Sequence, residues 1–345
     1  MSLKESLLWP LSVPYGAASR LRARAYRMGM LKQQRLPGVV ISLGNLTTGG
    51  TGKTPMVIWI AERLAAEGKR VGILTRGYRG KTASEPASSA GRVGRSTSQS
   101  SSDEVQLMSA RLGDRVAIGV GADRFARGQE LAQQGVQWFV LDDGFQHVQL
   151  ARAADIVMID ATNPFGGGRL LPAGRLREPK TALARADLIV ITRSAHSPAV
   201  EAAIRRETGA PVFYAQAELD SVYSPAQPRS TGQDAREQKL FAFCGIGNPH
   251  AFVADLRSWG FQIVGHKFFR DHHRYTPEDI REIEAEARAA GARAVICTEK
   301  DRFNLPAIQP ALPVWVCAIS LRVERDADFW RTLMAVVESR KAESS

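Results

Sequence analysis

The chain has 345 residues, with 46 Lys and Arg against 35 Asp and Glu, a formal net charge of +11 and 44% hydrophobic residues. That length and composition fit a soluble globular protein of about two domains, and no apolar run approaches the roughly 20 residues needed to span a bilayer. The start of the chain lacks the arrangement of a secretory signal. Cys244, Cys297 and Cys317 are odd in number, far apart and set in or beside apolar runs, which favours buried reduced thiols over disulfides or zinc ligands and fits a reducing cytoplasm. The positive charge favours anionic partners, whether nucleic acid, a membrane surface or a phosphorylated substrate.

Residues 1–36 mix Leu7, Leu8, Trp9, Leu11, Val13 and Tyr15 with Arg20, Arg22, Arg24 and Arg27. Pro10 and Pro14 are expected to break the first part of this segment. Beyond them Ala18, Leu21, Ala25 and Met28 share one helical face beside the arginines, the pattern of a basic amphipathic helix in a membrane interface. The same pattern also fits a helix packed on its own domain.

The apolar run 39–43 then empties into Gly44-Asn45-Leu46-Thr47-Thr48-Gly49-Gly50-Thr51-Gly52-Lys53-Thr54. A strand, a glycine-rich turn and a helix start are expected there. Glycines let successive backbone N–H groups face a phosphate, Lys53 adds a mobile positive charge, and Thr54 offers a hydroxyl to Mg²⁺. The nucleotide-binding candidates are therefore Thr47, Thr48, Gly49, Gly50, Thr51, Gly52, Lys53 and Thr54. Thr47 stands where the usual motif begins with Gly, and Thr48 where a partner-switching variant carries Lys.

A helix from Pro55 to Gly68 and a strand at 71–74 lead to Thr75-Arg76-Gly77-Tyr78, on the sheet edge where ligands bind in open parallel sheets. Residues 81–102 are dominated by Ser, Ala, Gly and Thr and read as a surface loop. Asp103-Glu104 follow at the start of a helix, which they could serve as a simple cap. A strand at 116–120, a helix through Arg124 and a strand at 138–142 end in Asp142-Asp143, an acidic strand end suited to Mg²⁺ opposite the loop threonine. Gln146 and His147 continue from that edge. Further strands are expected at 156–159, 188–192 and 212–215, and the alternation of strand and helix makes the sheet parallel. Between the first two, Asn163 to Pro179 carries Arg169, Arg175 and Arg177 among glycines and prolines, a loop shaped to present guanidinium groups to phosphate or carboxylate.

Polar residues with Pro225, Pro228 and Gly232 mark 221–237 as a linker. A second αβ unit follows, with strands at 240–244, 261–268, 294–298 and 314–318 and a last helix from Asp326. Asp271-His272-His273 lies between one of these strands and a helix capped by Thr276, where it could tune a carboxylate or touch phosphate.

The order of these segments resembles the tetraacyldisaccharide 4'-kinase (lipid A 4'-kinase) family. The resemblance rests on the phosphate loop through Pro55, Arg76-Gly77-Tyr78, Asp103-Glu104, 142–147, 171–179, 271–276 and Thr298-Glu299-Lys300-Asp301. It implies an α/β fold: a P-loop NTPase-like parallel sheet core (37–220), a smaller αβ domain (238–345) and an N-terminal amphipathic, membrane-associating helical segment (1–36). It also implies transfer of the γ-phosphate of ATP to the 4'-hydroxyl of an acylated disaccharide 1-phosphate, at the cytoplasmic face of the inner membrane, by a peripheral protein drawn to an anionic surface. On that resemblance Asp103 is the general base, His272 its partner and Lys53 the phosphate-binding lysine. Thr54, Asp142, Asp143 and Glu104 are the Mg²⁺ candidates, and Tyr78, Arg124, Gln146, His147, Arg175 and Arg177 the nucleotide or head-group contacts. Ser102 and Val105 depart from the Gly and Pro that usually flank the Asp-Glu pair. The competing reading is a partner-regulated P-loop ATPase or GTPase acting in assembly, in which the arginine loop has no role. Nucleic-acid binding rests on charge alone, and no nucleic-acid module is recognisable.

Overall fold

A computed structural model describes residues 3–77, 102–225, 232–308 and 310–343. Tyr78 and the Ser-rich residues 81–101 lie outside them. The chain divides into two compact units, one comprising Met1–Ser101, Met108–Gln216 and Leu321–Ser345, the other Ser102–Leu107 and Ala217–Ser320.

The first unit opens with α1 (Leu3–Arg27). The helix runs through Pro10 and Pro14, contrary to the expected break. With four-residue spacing, Pro14 lacks the N–H that would have bonded the carbonyl of Pro10, so two lost bonds fall in one stretch of a 25-residue helix. Small residues at helical spacing, Ser12, Gly16 and Ala23, are buried. Ser12 Oγ donates to the Leu170 carbonyl at 3.0 Å and accepts from Ala173 N at 3.2 Å, and a Cβ on Gly16 would stand 2.5 Å from Leu170 Cδ1. The expected apolar face points elsewhere: Ala18, Leu21 and Met28 are exposed and Ala25 is half-buried.

Seven parallel strands form the sheet of this unit: β1 (Val39–Asn45), β2 (Val71–Thr75), β3 (Val116–Val120), β4 (Trp138–Asp142), β5 (Ala154–Asp160), β6 (Leu188–Thr192) and β7 (Val212–Tyr223), in the order β3-β2-β4-β1-β5-β6-β7. β1 is buried throughout, as a central strand covered on both faces must be, and this is why it reads as a nearly continuous apolar run. Its neighbours β4 and β5 pair Leu43 with Asp142 and Asn45 with Met158, so the phosphate loop and the acidic pair leave adjacent strands at the same edge. Helices α2 (Lys53–Ala66), α3 (Asp103–Leu112), α4 (Arg124–Gln133) and α5 (Pro198–Arg205) connect the strands. The first turn of α3 is grouped with the second unit and its last turns with the first.

The second unit holds α6 (Gly232–Arg236), β8 (Lys239–Cys244), α7 (Pro249–Ser258), β9 (Gln262–Phe268), α8 (Pro277–Ala289), β10 (Ala294–Thr298), the short α9 (Glu299–Arg302) and most of β11 (Val314–Val323). Its strands are parallel in the order β11-β10-β8-β9. Phe243, Ile296 and Trp315 form its interior with Cys244, Cys297 and Cys317, all free and buried.

Two expectations about organisation differ from these units. β7 extends to Tyr223 and takes the first residues of the expected linker. The last helix, α10 (Asp326–Ala342), groups with the first unit rather than with residues 238–320. Its aromatic face decides this: the fully buried Phe329 meets Trp59 and Phe213 edge-on, Trp330 packs against Trp59, and Trp330 Nε1 donates to Glu67 at 2.6 Å.

Candidate active site

The phosphate loop is built from the end of β1. Gly52 caps α2 in the left-handed conformation, φ 81°, and Gly49 has φ 126° with Arg175 Nη2 only 2.2 Å from where a Cβ would stand. Neither position admits a side chain without strain. Lys53 and Thr54 open α2, where unpaired N–H groups and the helix dipole favour an anion. Asn45 holds the loop from below, its Nδ2 donating to Thr51 Oγ1 at 3.2 Å and to the Gly49 carbonyl at 3.4 Å. Thr192 Oγ1 donates to the Thr51 carbonyl at 3.2 Å.

The arginine loop docks on this element. Thr47 bridges Leu176 in antiparallel fashion, Thr48 N donates to the Arg175 carbonyl at 2.8 Å, and Arg177 N donates to the Leu46 carbonyl at 2.7 Å. The Arg175 side chain closes the contact, giving Nε and Nη2 to the Thr48 carbonyl at 3.0 and 2.7 Å. The anchor of the loop is Glu178, 4% exposed, which receives two hydrogen bonds from Arg185 at 2.8 and 2.9 Å.

Asp142 and Asp143 end β4 in different environments. Asp142 Oδ2 accepts from Thr75 Oγ1 at 2.9 Å. Asp143, at φ 51°, pairs with Arg177 at 2.6 Å through Oδ2 and with Lys53 Nζ at 3.6 Å through Oδ1. Burial pushes its carboxyl up, yet the charges of Lys53, Arg177 and Arg124 outweigh burial and hold it below the usual carboxylate range. Its Oδ1 is buried and accepts no hydrogen bond among the described residues, an ionised oxygen beside Lys53 of the phosphate loop that fits a divalent cation or its water shell.

Gln146 donates to the Asn45 carbonyl at 3.0 Å and receives a 3.5 Å contact from Arg177. Burial, with Arg124, Arg152 and Arg22 nearby, pushes His147 down to about 4, so its imidazole is neutral near pH 7. Arg152 supports this turn, donating to the Gly144 carbonyl at 2.9 Å, to Asp155 at 3.0 Å and to the His147 carbonyl. Arg124 is buried at the start of α4 with Nη1 3.5 Å from the Ala122 carbonyl.

The second unit carries an acid–base cluster. Asp103, 5% exposed, lies with both oxygens against His272 Nδ1, at 2.9 and 3.0 Å. Its Oδ1 also accepts from Glu104 N at 2.9 Å and its Oδ2 from Asn304 Nδ2 at 3.1 Å. Burial raises the Asp103 carboxyl, but the His272 hydrogen bond, the Lys300 charge and Asn304 together leave it below its ordinary value. The Asp103 hydrogen bond raises His272, against burial and Lys300. Glu104 lies in the same cluster, 4.0 Å from Lys300 Nζ.

Of the residues singled out from sequence, the loop 47–54, Asp142, Asp143, Gln146, Arg175 and Arg177 come together in the first unit, and Asp103, Glu104 and His272 in the second. Asn45, Glu178 with Arg185, Arg152, Lys300 and Asn304 carry supporting contacts to which sequence reasoning gave no role. Asn45, Glu178 and Lys300 do lie within the segments that carry the family resemblance.

A parallel sheet whose β1 empties through a glycine loop into Lys-Thr at a helix start, beside an acidic strand end, defines a P-loop NTPase-like nucleotide-binding protein. The family model for Tetraacyldisaccharide-1-P 4'-kinase matches residues 4–338, and the chain belongs to that family. Tetraacyldisaccharide 4'-kinase of Geobacter metallireducens is 41% identical over 320 residues, covering 91% of this chain and 92% of that one. The Desulfotalea psychrophila protein of the same name is 36% identical over 332 residues, with 94% of each chain covered. The crystal structure of LpxK from Aquifex aeolicus in complex with ATP superposes with a TM-score of 0.71 at 28% identity, covering 96% of this chain and 99% of that chain.

Proposed function

We propose that the protein transfers the γ-phosphate of ATP to the 4'-hydroxyl of a tetraacyldisaccharide 1-phosphate, a step of lipid A biosynthesis. The observation that carries this reading is the Asp103–His272 pair of a chain that also bears the Lys53 phosphate loop. A phosphate loop alone serves any nucleoside triphosphatase, whereas a buried ionised carboxylate held by an imidazole suits deprotonation of an alcohol acceptor. Family membership favours the kinase over the assembly ATPase or GTPase.

In this reading Lys53 and the loop amides bind the β- and γ-phosphates of ATP, with Arg177 close by. Asp103 takes the proton from the sugar hydroxyl as that oxygen attacks phosphorus and the bond to the β-phosphate oxygen breaks, releasing ADP. His272 orients Asp103. A sugar hydroxyl is a poor nucleophile, so positioning and charge neutralisation supply most of the acceleration. Thr54 with Asp142 or Asp143 would hold Mg²⁺, and Glu104 is a further candidate. When bound, Mg²⁺ would neutralise charge on the phosphate oxygens. Arg124, Gln146 and the neutral His147 are proposed for the anionic head group, as is Tyr78. The reading is tested by incubating the protein with ATP and the tetraacyldisaccharide 1-phosphate in detergent micelles, where a bisphosphorylated lipid is the expected product.

Peripheral docking on the cytoplasmic face of the inner membrane is part of the same proposal. Among the described residues no helix is long and apolar enough to cross a membrane. The support is α1 and the residue that follows it: small residues are buried, and Trp9, Leu21 and Met28 are between 57% and 67% exposed beside Arg20, Arg24 and Arg27. Replacing Leu21 and Met28 together by Asp is expected to weaken co-sedimentation with anionic vesicles about tenfold or more. Unchanged sedimentation of that variant would remove α1 from membrane docking.

A further inference from the structure

Lys300 is the second residue of α9, a helix of only four residues that its cap ties to the rest of the second unit. Thr298 and Asp301 form a reciprocal capping box at its start. Asp301 is 1% exposed and its carboxylate also accepts from Gly245 N and from the Tyr275 hydroxyl, each at 2.8 Å. The backbone that carries Lys300 is therefore tied to the end of β8 and to the loop that carries His272.

From that base the ammonium reaches three carboxylates. Lys300 Nζ is 3.0 Å from Asp271 Oδ1, 3.8 Å from Asp103 Oδ2 and 4.0 Å from Glu104 Oε1, and its side chain is 16% exposed. Asp271 adjoins His272, which has φ 60°, a conformation that persists in a non-glycine residue only when its surroundings enforce it. Its contacts include the His272 N–H donating to the Gly245 carbonyl at 3.0 Å, Nδ1 on Asp103, and Nε2 at 3.8 Å from Asp271 Oδ2. Removal of the ammonium leaves the Asp271 carboxylate facing Asp103 and Glu104 with like charge, which pushes the loop away from the pair it must hold.

We propose that Lys300 is a positioning residue of the phosphotransfer reaction: its ammonium bonds Asp271 while neutralising Asp103 and Glu104, and so keeps the His272 imidazole on the Asp103 carboxylate. The role rests on the reading of Asp103 as the base. Lys300 itself touches neither substrate nor nucleotide in this account.

The full chain carrying Lys300→Met is expected to lose about 100-fold in kcat, the scale of a misplaced catalytic group, with the ATP KM changed by less than about twofold. Lys300→Arg, which keeps the charge, is expected to retain most of the activity. Adding Asp271→Asn to Lys300→Met removes the uncompensated charge and is expected to recover about tenfold of the loss. In nitrogen NMR of the imidazoles, the hydrogen-bonded Nδ1–H of His272 is expected in the unaltered protein and in Lys300→Arg, and to weaken in Lys300→Met. A kcat for Lys300→Met within about threefold of the unaltered protein, or an unchanged His272 Nδ1 signal in that variant, overturns the proposal, as does the absence of any recovery with Asp271→Asn. Should the unaltered protein fail to phosphorylate the lipid, the functional reading falls, while the imidazole signal still decides whether Lys300 positions the pair.

Discussion

Asp103→Ala is expected to lower kcat by about 10²–10⁴-fold, the usual contribution of a positioned general base, while the ATP dissociation constant stays within about twofold. The carboxylate is buried and held by His272, Asn304 and the Glu104 amide, and the phosphate loop is built from other residues. The two quantities should therefore separate. Steady-state kinetics beside fluorescent-nucleotide binding reads both, and near-normal turnover would take Asp103 out of the mechanism. Asp103→Asn, nearly isosteric, should be as inactive as Asp103→Ala, because it keeps the hydrogen-bonding shape and loses the basicity. The pair also makes stability depend on pH in two directions. Asp103 is held below its ordinary value, so its contribution is present above that value and is lost as pH falls through the lowered one. His272 is raised, so its contribution is complete below the ordinary imidazole value and is lost as pH rises through the raised one.

Lys53→Met is expected to affect binding and chemistry together. Lys53 opens α2 and its ammonium lies 3.6 Å from Asp143, where a bound triphosphate would compete for it. Loss of this cation should cost about 10²–10³-fold in kcat, the scale of a single electrostatic donor to a transition state, and should weaken ATP binding about tenfold or more. Isothermal titration with ATP checks the second effect, and a variant that binds ATP as the unaltered protein does would deny Lys53 a phosphate contact. Arg177 already pairs with Asp143 at 2.6 Å. It would thus keep Asp143 ionised in the variant, and the loss can be assigned to the missing contact with phosphate.

How far the sequence spoke depended on whether a feature was local. β1, the glycine loop and the start of α2 were legible because an apolar run followed by Gly52-Lys53-Thr54 is self-contained, and the glycines at 49 and 52 are required by their own backbone. The Asp-Glu and Asp-His pieces were legible only through their order along the chain. Their meeting at 2.9 Å joins residues 169 positions apart, a distance no local pattern encodes. The same reason hid Asn304, which reaches Asp103 from a different loop, and the Glu178–Arg185 anchor, whose value lies in burial rather than in spacing. For α1, periodicity identified an apolar face but weighed bulk over fit: the residues that pack include the small Ser12 and Gly16, which let the helix approach Leu170. The last helix had a readable buried face, yet which sheet covered it depended on Trp59 and Phe213, contributed from far earlier in the chain.

The position of the transferred phosphate decides which reaction the protein performs. Purified protein, ATP and tetraacyldisaccharide 1-phosphate in detergent micelles should yield ADP and a lipid with a second phosphate monoester, placed on the 4'-oxygen by phosphorus–proton correlation NMR. The Asp103→Ala protein should leave the lipid unchanged while still binding ATP. A folded, ATP-binding protein that never phosphorylates this lipid, or that places the phosphate on another oxygen, would contradict the account.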